Sequence, residues 1–166
     1  MNYWIVTDTH FGHDKLIEYC SRPIGFENLL LKRIGAQVRN EDVLIHLGDI
    51  CIGNDAEWHL RFMTNVAGKK WLVKGNHDRK SNSWYLGHGW DFVADQIAMR
   101  LFGLDIVLSH IPVPDNGYDI NVHGHFHNSD HHRHEEELKR IKTEKHRLVY
   151  MEHDYQPKNL RRVVSR

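Results

Sequence analysis

Five short apolar runs in this chain each end in a turn that carries Asp, Asn or His, and this repetition restricts the fold more than any other feature. The sharpest case is Trp71-Leu72-Val73-Lys74, followed at once by Gly75-Asn76-His77-Asp78. A short apolar run bounded by a turn signal reads as a buried strand. A glycine directly after it lets the backbone turn sharply. The next three side chains are then displayed together at the strand's C-terminal edge, where open α/β sheets usually place their sites. Asn offers a neutral oxygen ligand, His a proton carrier and Asp an anion that can orient the His. Alone, the stretch reads equally well as a plain Gly-Asn turn. Four other strand ends with side chains of the same kind shift the balance.

Trp4-Ile5-Val6 reads as a strand ending in Thr7-Asp8-Thr9-His10. Alternation along the extended chain puts Asp8 and His10 on one side, where they can share a metal ion. A short helix is expected from Asp14, with Leu16, Ile17 and Cys20 as its apolar stripe, broken at Ser21-Arg22-Pro23. An amphipathic helix is expected from about Glu27 to Arg39, burying Leu30, Leu31, Ile34 and Val38. Val43 to Leu47 is the next strand and closes in Gly48-Asp49. His46, on the strand itself, reads as a packed, hydrogen-bonded histidine rather than a ligand. A helix near Asp55 to Val66 follows, with Asp55 as N-cap and Leu60, Met63 and Val66 facing inward.

Residues 79–90 read as loop and short helix. Phe92 to Leu101 and Leu104 to Leu108 read as strands joined by a tight turn at Phe102-Gly103, the second ending in Ser109-His110. Asp119 to Val122 is a strand running into His123-Gly124-His125-Phe126-His127. The tract 129–146, with acids preceding bases at helical spacing, suits a surface helix or a mobile loop, and its His131, His132 and His134 suit a solvated tract. Leu148 to Met151 reads as a last strand, and Pro157 as the start of a terminal helix that packs Leu160 and Val163. Strand–helix alternation in the first half implies βαβ units, and adjacent strands in the second half imply hairpins. Two packed sheets with helices outside accommodate both.

The 166 residues suit one domain over 1–166, and 40% hydrophobic with 27% charged residues is a globular composition. Lys+Arg and Asp+Glu are 22 each, so no overall charge draws the chain to nucleic acid or membranes. Only a local basic patch is open, with Lys69, Lys70, Lys74, Arg79 and Lys80 around the central turn as candidates for a nuclease groove. The N-terminus enters a strand without the charged head of a signal peptide, and no apolar run approaches transmembrane length. Two cysteines, Cys20 and Cys51, make no disulfide framework, and a reducing cytoplasm is the simplest setting.

Asp8, His10, Asp49, Asn76, His110, His125 and His127 all follow strand-like segments. Seven O/N ligands are too many for one zinc centre, which usually takes about four. They fit two adjacent first-row ions with one carboxylate bridging. Two ions ~3.5–4 Å apart clamp the attacking and leaving oxygens of a phosphoryl displacement and lower the pKa of a shared water. A thiolate-free set favours Mn, Fe, Zn or Ni.

The series Asp8-x-His10, Gly48-Asp49, Gly75-Asn76-His77-Asp78, Ser109-His110 and Gly124-His125-x-His127 resembles the calcineurin-like metallophosphoesterases. All five motifs stand in family order across residues 8–127. The flanking Asp8-Thr-His-Phe-Gly-His13, Tyr19-Cys-Ser-Arg-Pro23 and Glu152-His-Asp-Tyr-Gln-Pro157 look like its small bacterial and phage branch. The resemblance implies an α/β (α+β) fold, a four-layer sandwich of two mixed β-sheets flanked by helices. It implies that Asp8, His10 and His127 hold a first divalent ion, that Asp49 bridges, and that Asn76, His110 and His125 complete a second. Mn²⁺ is favoured, with Fe, Zn or Ni as alternatives.

His77 is implied as general acid at the leaving oxygen, or as a stabiliser of phosphoryl charge, with Asp78 favouring its protonated form. His13 and Arg22 lie just beyond the first motif and are candidate substrate contacts, Arg22 by forking onto a phosphate oxygen. Both read otherwise as surface residues at helix ends. The expected activity is a metal-dependent phosphodiesterase in which a bridging hydroxide attacks phosphorus in line. A phosphomonoesterase, a nuclease and a non-enzymatic metal-binding scaffold are the alternatives. A small phosphoester or nucleotide is the expected substrate, nucleic acid the alternative, and no membrane partner is expected.

Overall fold

Strand ends that carry ligands can meet only if several strands run the same way, and this is what the chain builds. A computed structural model describes residues 1–128 and 144–165. Strands β1 (Tyr3–Val6), β2 (Val43–His46), β3 (Lys69–Val73) and β4 (Phe92–Ala94) are parallel neighbours in the order β4-β3-β2-β1. A short antiparallel strand, β9 (Lys158–Asn159), completes that sheet beside β1. The second sheet has the order β5-β6-β7-β8, formed by β5 (Gln96–Leu101), β6 (Leu104–Ser109), β7 (Ile120–His123) and β8 (His146–Leu148). Its β5–β6 pair is antiparallel and the other two pairs are parallel.

The apolar runs of the first half are continuous because β1–β3 are buried on both faces. Ile5, Ile45 and Val73 point into the space between the sheets, against Leu108 and Val122 of the second sheet. Val6, Leu44 and Leu72 point the other way, under Leu30 and Ile34 of α2 (Phe26–Gln37) and Phe62 of α3 (Asp55–Asn65). Strand β5, at an edge, alternates instead: Ile97, Met99 and Leu101 turn inward while Gln96, Ala98 and Arg100 are exposed. The result is two mixed sheets flanked by helices. Helix α1 (Lys15–Tyr19) lies between the first motif and α2, and α4 (Asn82–Gly87) follows the central turn. No helix among the described residues is long and apolar enough to cross a membrane.

Several boundaries differ from expectation. Phe92 to Leu101 is not one strand: β4 ends at Ala94, β5 begins at Gln96, and the chain passes from one sheet to the other at Asp95. Asp55 is the first residue of α3 and not its cap, which is Asn54 in a left-handed conformation at φ 49°. Leu60 is 68% exposed; the buried stripe is His59, Phe62 and Val66, at the i, i+3, i+7 spacing that Leu60 misses by one position. The last long strand covers His146–Leu148 rather than reaching Met151, although the Val149 amide still donates to the His123 carbonyl at 2.8 Å. Pro157 starts no helix. The open edge of β1 takes Lys158–Asn159 as a strand first, which pairs backbone groups otherwise left over, and α5 (Leu160–Val164) follows, burying Leu160 and Val164 with Val163 half-buried. The turn at Phe102-Gly103 forms as expected, both residues having positive φ, at 56° and 81°. The expectation for 129–146 falls on 129–143 in the main, outside the described residues.

In register, Val6 pairs with His46 and His46 with Leu72, while Ser109 pairs with His123. The C-terminal ends of β1, β2 and β3 therefore share one rim, and those of β6 and β7 another.

Candidate metal centre

Backbone hydrogen bonds tie the turns within each rim, and the closest approaches between turns fall at glycines. Asp8 N–H donates to Gly48 O at 2.9 Å, His10 N–H to Asp49 O at 3.0 Å and Gly124 N–H to His110 O at 3.0 Å. A Cβ at Gly75 would lie 2.1 Å from Asp49 Oδ1, and one at Gly124 would lie 2.0 Å from Thr7 Oγ1 and 2.5 Å from Asp8 Oδ2. These glycines are where the turns of one strand close onto the carboxylates of the next. Asp8, His10, Asp49, His125 and His127 all have positive φ, between 46° and 73°. Such backbone is costly for non-glycine residues and collects at functional sites.

The strand-end residues form two clusters, each with possible ligand atoms within 4.8 Å of one another: Asp8, His10 and His127 in one, Asp49, His110 and His125 in the other; His127 also belongs to a third, with Cys20 and Glu152. Asp49 lies between them. Its Oδ2 is 3.6 Å from His10 Nε2 and 3.3 Å from His110 Nε2, while its Oδ1 accepts from the His77 amide at 2.9 Å. Asp8 Oδ2 accepts from Thr7 Oγ1 at 2.6 Å and from the His125 amide at 2.9 Å. Asp8 Oδ1 is buried with no hydrogen-bond partner and faces His10 Nε2 at 3.7 Å and His127 Nε2 at 3.9 Å.

His110 donates its Nδ1–H to Leu47 O at 2.8 Å, so in its neutral form the lone pair is on Nε2. Nε2 lies 3.0 Å from Asn76 Oδ1 and 3.1 Å from His125 Nδ1, besides Asp49. Oxygen and nitrogen atoms converging in this way suit a positive charge, a proton or a metal ion. The orphaned Asp8 oxygen makes the same demand, so the donor set fits hard or borderline divalent ions.

The titration behaviour carries the same charge preference. Burial pushes the Asp8 carboxyl up, but His10, His110 and His127 outweigh it and hold the group well below the usual carboxylate range. Burial likewise opposes ionisation of Asp49, and His110 and His10 prevail, lowering it. Burial lowers His110, yet Asp49 and Asp8 raise it to about 9. Burial lowers His127, yet Cys20, Glu152 and Asp8 raise it to about 10. Positive charge between these carboxylates and imidazoles is what the centre favours.

His77 stands over the centre with its side chain 39% exposed and Nε2 4.0 Å from Asp49 Oδ2. Asp78 does not serve it as expected. The Asp78 carboxylate is buried and accepts from the amides of Asp49, Ile50 and Gly75 at 2.7, 3.1 and 2.8 Å, so it shapes the two turns instead. Arg22 is not a phosphate fork: its side chain is buried beneath the centre, with Nη1 and Nη2 on the Thr9 and Asp8 carbonyls and Nε and Nη2 on Glu152. His13 does line the cavity at the centre, together with Leu16, Tyr19, Cys20 and Phe126.

His46 is buried as expected. Gly48 N–H donates to its Nδ1 at 3.0 Å, so its Nε2–H donates to Thr9 Oγ1 at 2.9 Å. Lys69 and Lys70 sit at the start of β3, the end away from the centre, while Lys74 pairs with Asp95 and Lys80 with Asp55. Lys74 and Lys80 line separate depressions. Glu152, quoted above only as part of a flanking motif, proves to accept from His127 Nδ1 at 2.9 Å. No local signal marks it, since its partner is 25 positions away.

A family model for calcineurin-like phosphoesterases matches residues 1–162. The chain belongs to that family. Among relatives of this calcineurin-like phosphoesterase, the uncharacterized protein MJ1445 of Methanocaldococcus jannaschii is 27% identical over 75% of this chain and 68% of its own. The gene 66 protein of Mycobacterium phage L5 is 28% identical over 76% of this chain and 77% of its own. A crystal structure of AQ665, a protein of unknown function from Aquifex aeolicus, superimposes with a TM-score of 0.76 at 27% identity, covering 99% of this chain and 98% of that one. As a member of a metal-dependent phosphoesterase family, the chain has its candidate ligand clusters where its strand ends converge.

Proposed function

We propose that this chain is a two-metal phosphodiesterase, one unit over 1–166, acting on small phosphoesters or nucleotides in a cytoplasmic setting. The observation that carries the reading is Asp49 Oδ2 lying between His10 and His110, with His77 exposed above it. Asp8, His10 and His127 would hold one divalent ion and Asn76, His110 and His125 the other, with Asp49 shared; Mn²⁺ is favoured. When bound, such ions lower the pKa of water and offset the charge of a phosphoryl group. Asp8 and Asp49 contribute the anionic oxygens. His110 presents Nε2 because its Nδ1–H is taken by the Leu47 carbonyl. His77, uncovered at the cavity, donates a proton to the leaving ester oxygen or a hydrogen bond to the phosphoryl group. His13 is positioned to touch substrate along the same wall.

Two depressions support the diester preference. A cavity of ≈ 260 Å³ bounded by His77, His13, Tyr19 and Phe126 lies on one side of Asn76, and another of ≈ 280 Å³ bounded by Lys74, Asp95, Ser109 and Ile111 lies on the other. A diester has two substituents to house. The buried Cys20 and Cys51, neither in a disulfide, suit a reducing compartment. The test is hydrolysis of bis-p-nitrophenyl phosphate against p-nitrophenyl phosphate under Mn²⁺, Fe²⁺, Zn²⁺ and Ni²⁺. The diester should turn over faster, with Mn²⁺ the best activator. A strong monoester preference reverses the substrate assignment, and two bound metals without turnover of any ester would leave a binding module.

A further inference from the structure

We propose that Glu152 and Arg22 are positioning residues that set the ring of His127 for metal binding; the inference rests on the metal pair proposed above. Glu152 Oε1 accepts from His127 Nδ1 at 2.9 Å and from Arg22 Nη2 and Nε at 2.6 and 3.0 Å. The ion pair is buried, the Arg22 side chain at 0% exposure and that of Glu152 at 4%. Burying such a pair costs several kcal/mol per ion and is weak as a device for stability alone. Its geometry has another use. An ionised carboxylate only accepts hydrogen bonds, so the neutral, metal-ligating form of His127 carries its proton on Nδ1. The lone pair is then on Nε2, the nitrogen that faces Asp8 Oδ1 at 3.9 Å. A carboxylate behind the imidazole is the arrangement that fixes the tautomer and orientation of a metal-ligating histidine.

Arg22 extends the effect to the other ligands of that ion. Nη2 also donates to the Asp8 carbonyl at 2.6 Å, and Nη1 donates to the Thr9 carbonyl at 2.8 Å. One guanidinium thus joins the carboxylate behind His127 to the backbone that carries Asp8 and His10. The His10 and His127 rings stack with centroids 5.2 Å apart, so a tilt of one displaces the other. Cys20, His127 and Glu152 are close enough to hold a cation of their own. The Arg22 guanidinium at 2.6 Å from Glu152 opposes a second positive charge there, which favours the orienting role.

The test is Mn²⁺ titration of chelator-stripped full-length protein, followed by the electron paramagnetic resonance of free Mn²⁺, for wild type, Glu152→Gln and Arg22→Lys. Wild type should take two equivalents. Each variant should bind one equivalent 10–100-fold more weakly and keep the other, the loss usual when an outer partner of a metal ligand is removed. Added Mn²⁺ should recover kcat, with KM for the diester unchanged. Variants that melt lower without metal but bind Mn²⁺ like wild type overturn the inference in favour of a plain structural strut. If either variant fails to fold, ¹⁵N spectra of Zn²⁺-loaded wild type decide: the proton of His127 on Nδ1 supports the assignment, and on Nε2 overturns it. Wild type that takes no divalent ion defeats the metal pair itself. Two equivalents bound by both variants at wild-type affinity defeat only the positioning role.

Discussion

The candidate ligands sit close together in unlike surroundings, so single substitutions should separate their roles. Asp49 turns one oxygen to the His77 amide and the other to two imidazoles. In Asp49→Asn an amide loses the negative charge and sets a donor among groups that need an acceptor. Metal analysis should find the protein depleted of at least one ion per chain, with activity near background. His77→Ala removes a group outside both ligand clusters, so it should keep its metals while kcat falls by about 10²- to 10⁴-fold, the usual contribution of acid–base catalysis. Full activity in both variants would remove these assignments. Gly124→Ala tests the close approach: its methyl would press on Thr7 Oγ1 and Asp8 Oδ2, and Mn²⁺ affinity should drop together with stability.

At the scale of elements, α2 and α3 pack closely enough that propensity and packing disagree. A Cβ at Gly35, in the middle of α2, would lie 2.3 Å from the Asn65 carbonyl oxygen at the end of α3. Alanine in place of helical glycine ordinarily gains about 1 kcal/mol. Overpacking against backbone that cannot move aside costs about 1–3 kcal/mol. Gly35→Ala should therefore lower the melting temperature despite its better helix propensity, with metal stoichiometry unchanged. A rise in Tm would mean that the two helices separate freely. The same competition explains α3, where Leu60 is exposed and the polar His59 is buried with Nδ1 on the Asp55 carbonyl at 2.8 Å. Position on the helix, not hydrophobicity, selects which side chain goes inside.

For the whole molecule, two equilibria report on the buried polar groups. Chelation removes the stabilisation that ions confer by mass action, about 2.7 kcal/mol when present at a hundred times their Kd. EDTA should thus lower Tm as it abolishes hydrolysis, and Mn²⁺ should restore both. The second equilibrium is protonation of His46, which burial lowers from 6.5 to about 3. Between those values the unfolded chain binds the proton and the folded chain does not, so stability rises with pH there and is lost as pH falls from about 6.5 towards 3. The full loss is about 5 kcal/mol. Denaturant titrations of the metal-free protein at intervals from pH 7 to 4.5 should show the slope, and His46→Gln should flatten it. An unchanged slope would place the acid sensitivity elsewhere.

Local chemistry was legible along the chain. Short apolar runs, the glycines that close them and the polar residues that follow are neighbours in sequence, so β1, β2 and β3 and the candidate ligand clusters at strand ends are legible without coordinates. Which partner lies across space could not. The passage between sheets at Asp95 depends on which edge each half of an apolar run meets. Sequence proximity pairs Asp78 with His77, but the turns folding over it supply three amides. Arg22 was read as a substrate contact, but it meets Glu152 across 130 positions. The sequence by itself determined which candidate ligand types follow each strand, because strand and turn preferences act over a few residues. Only the tertiary structure decided which charged groups face the cavity and which lie beneath it, because a charge is buried only where distant segments bring it partners.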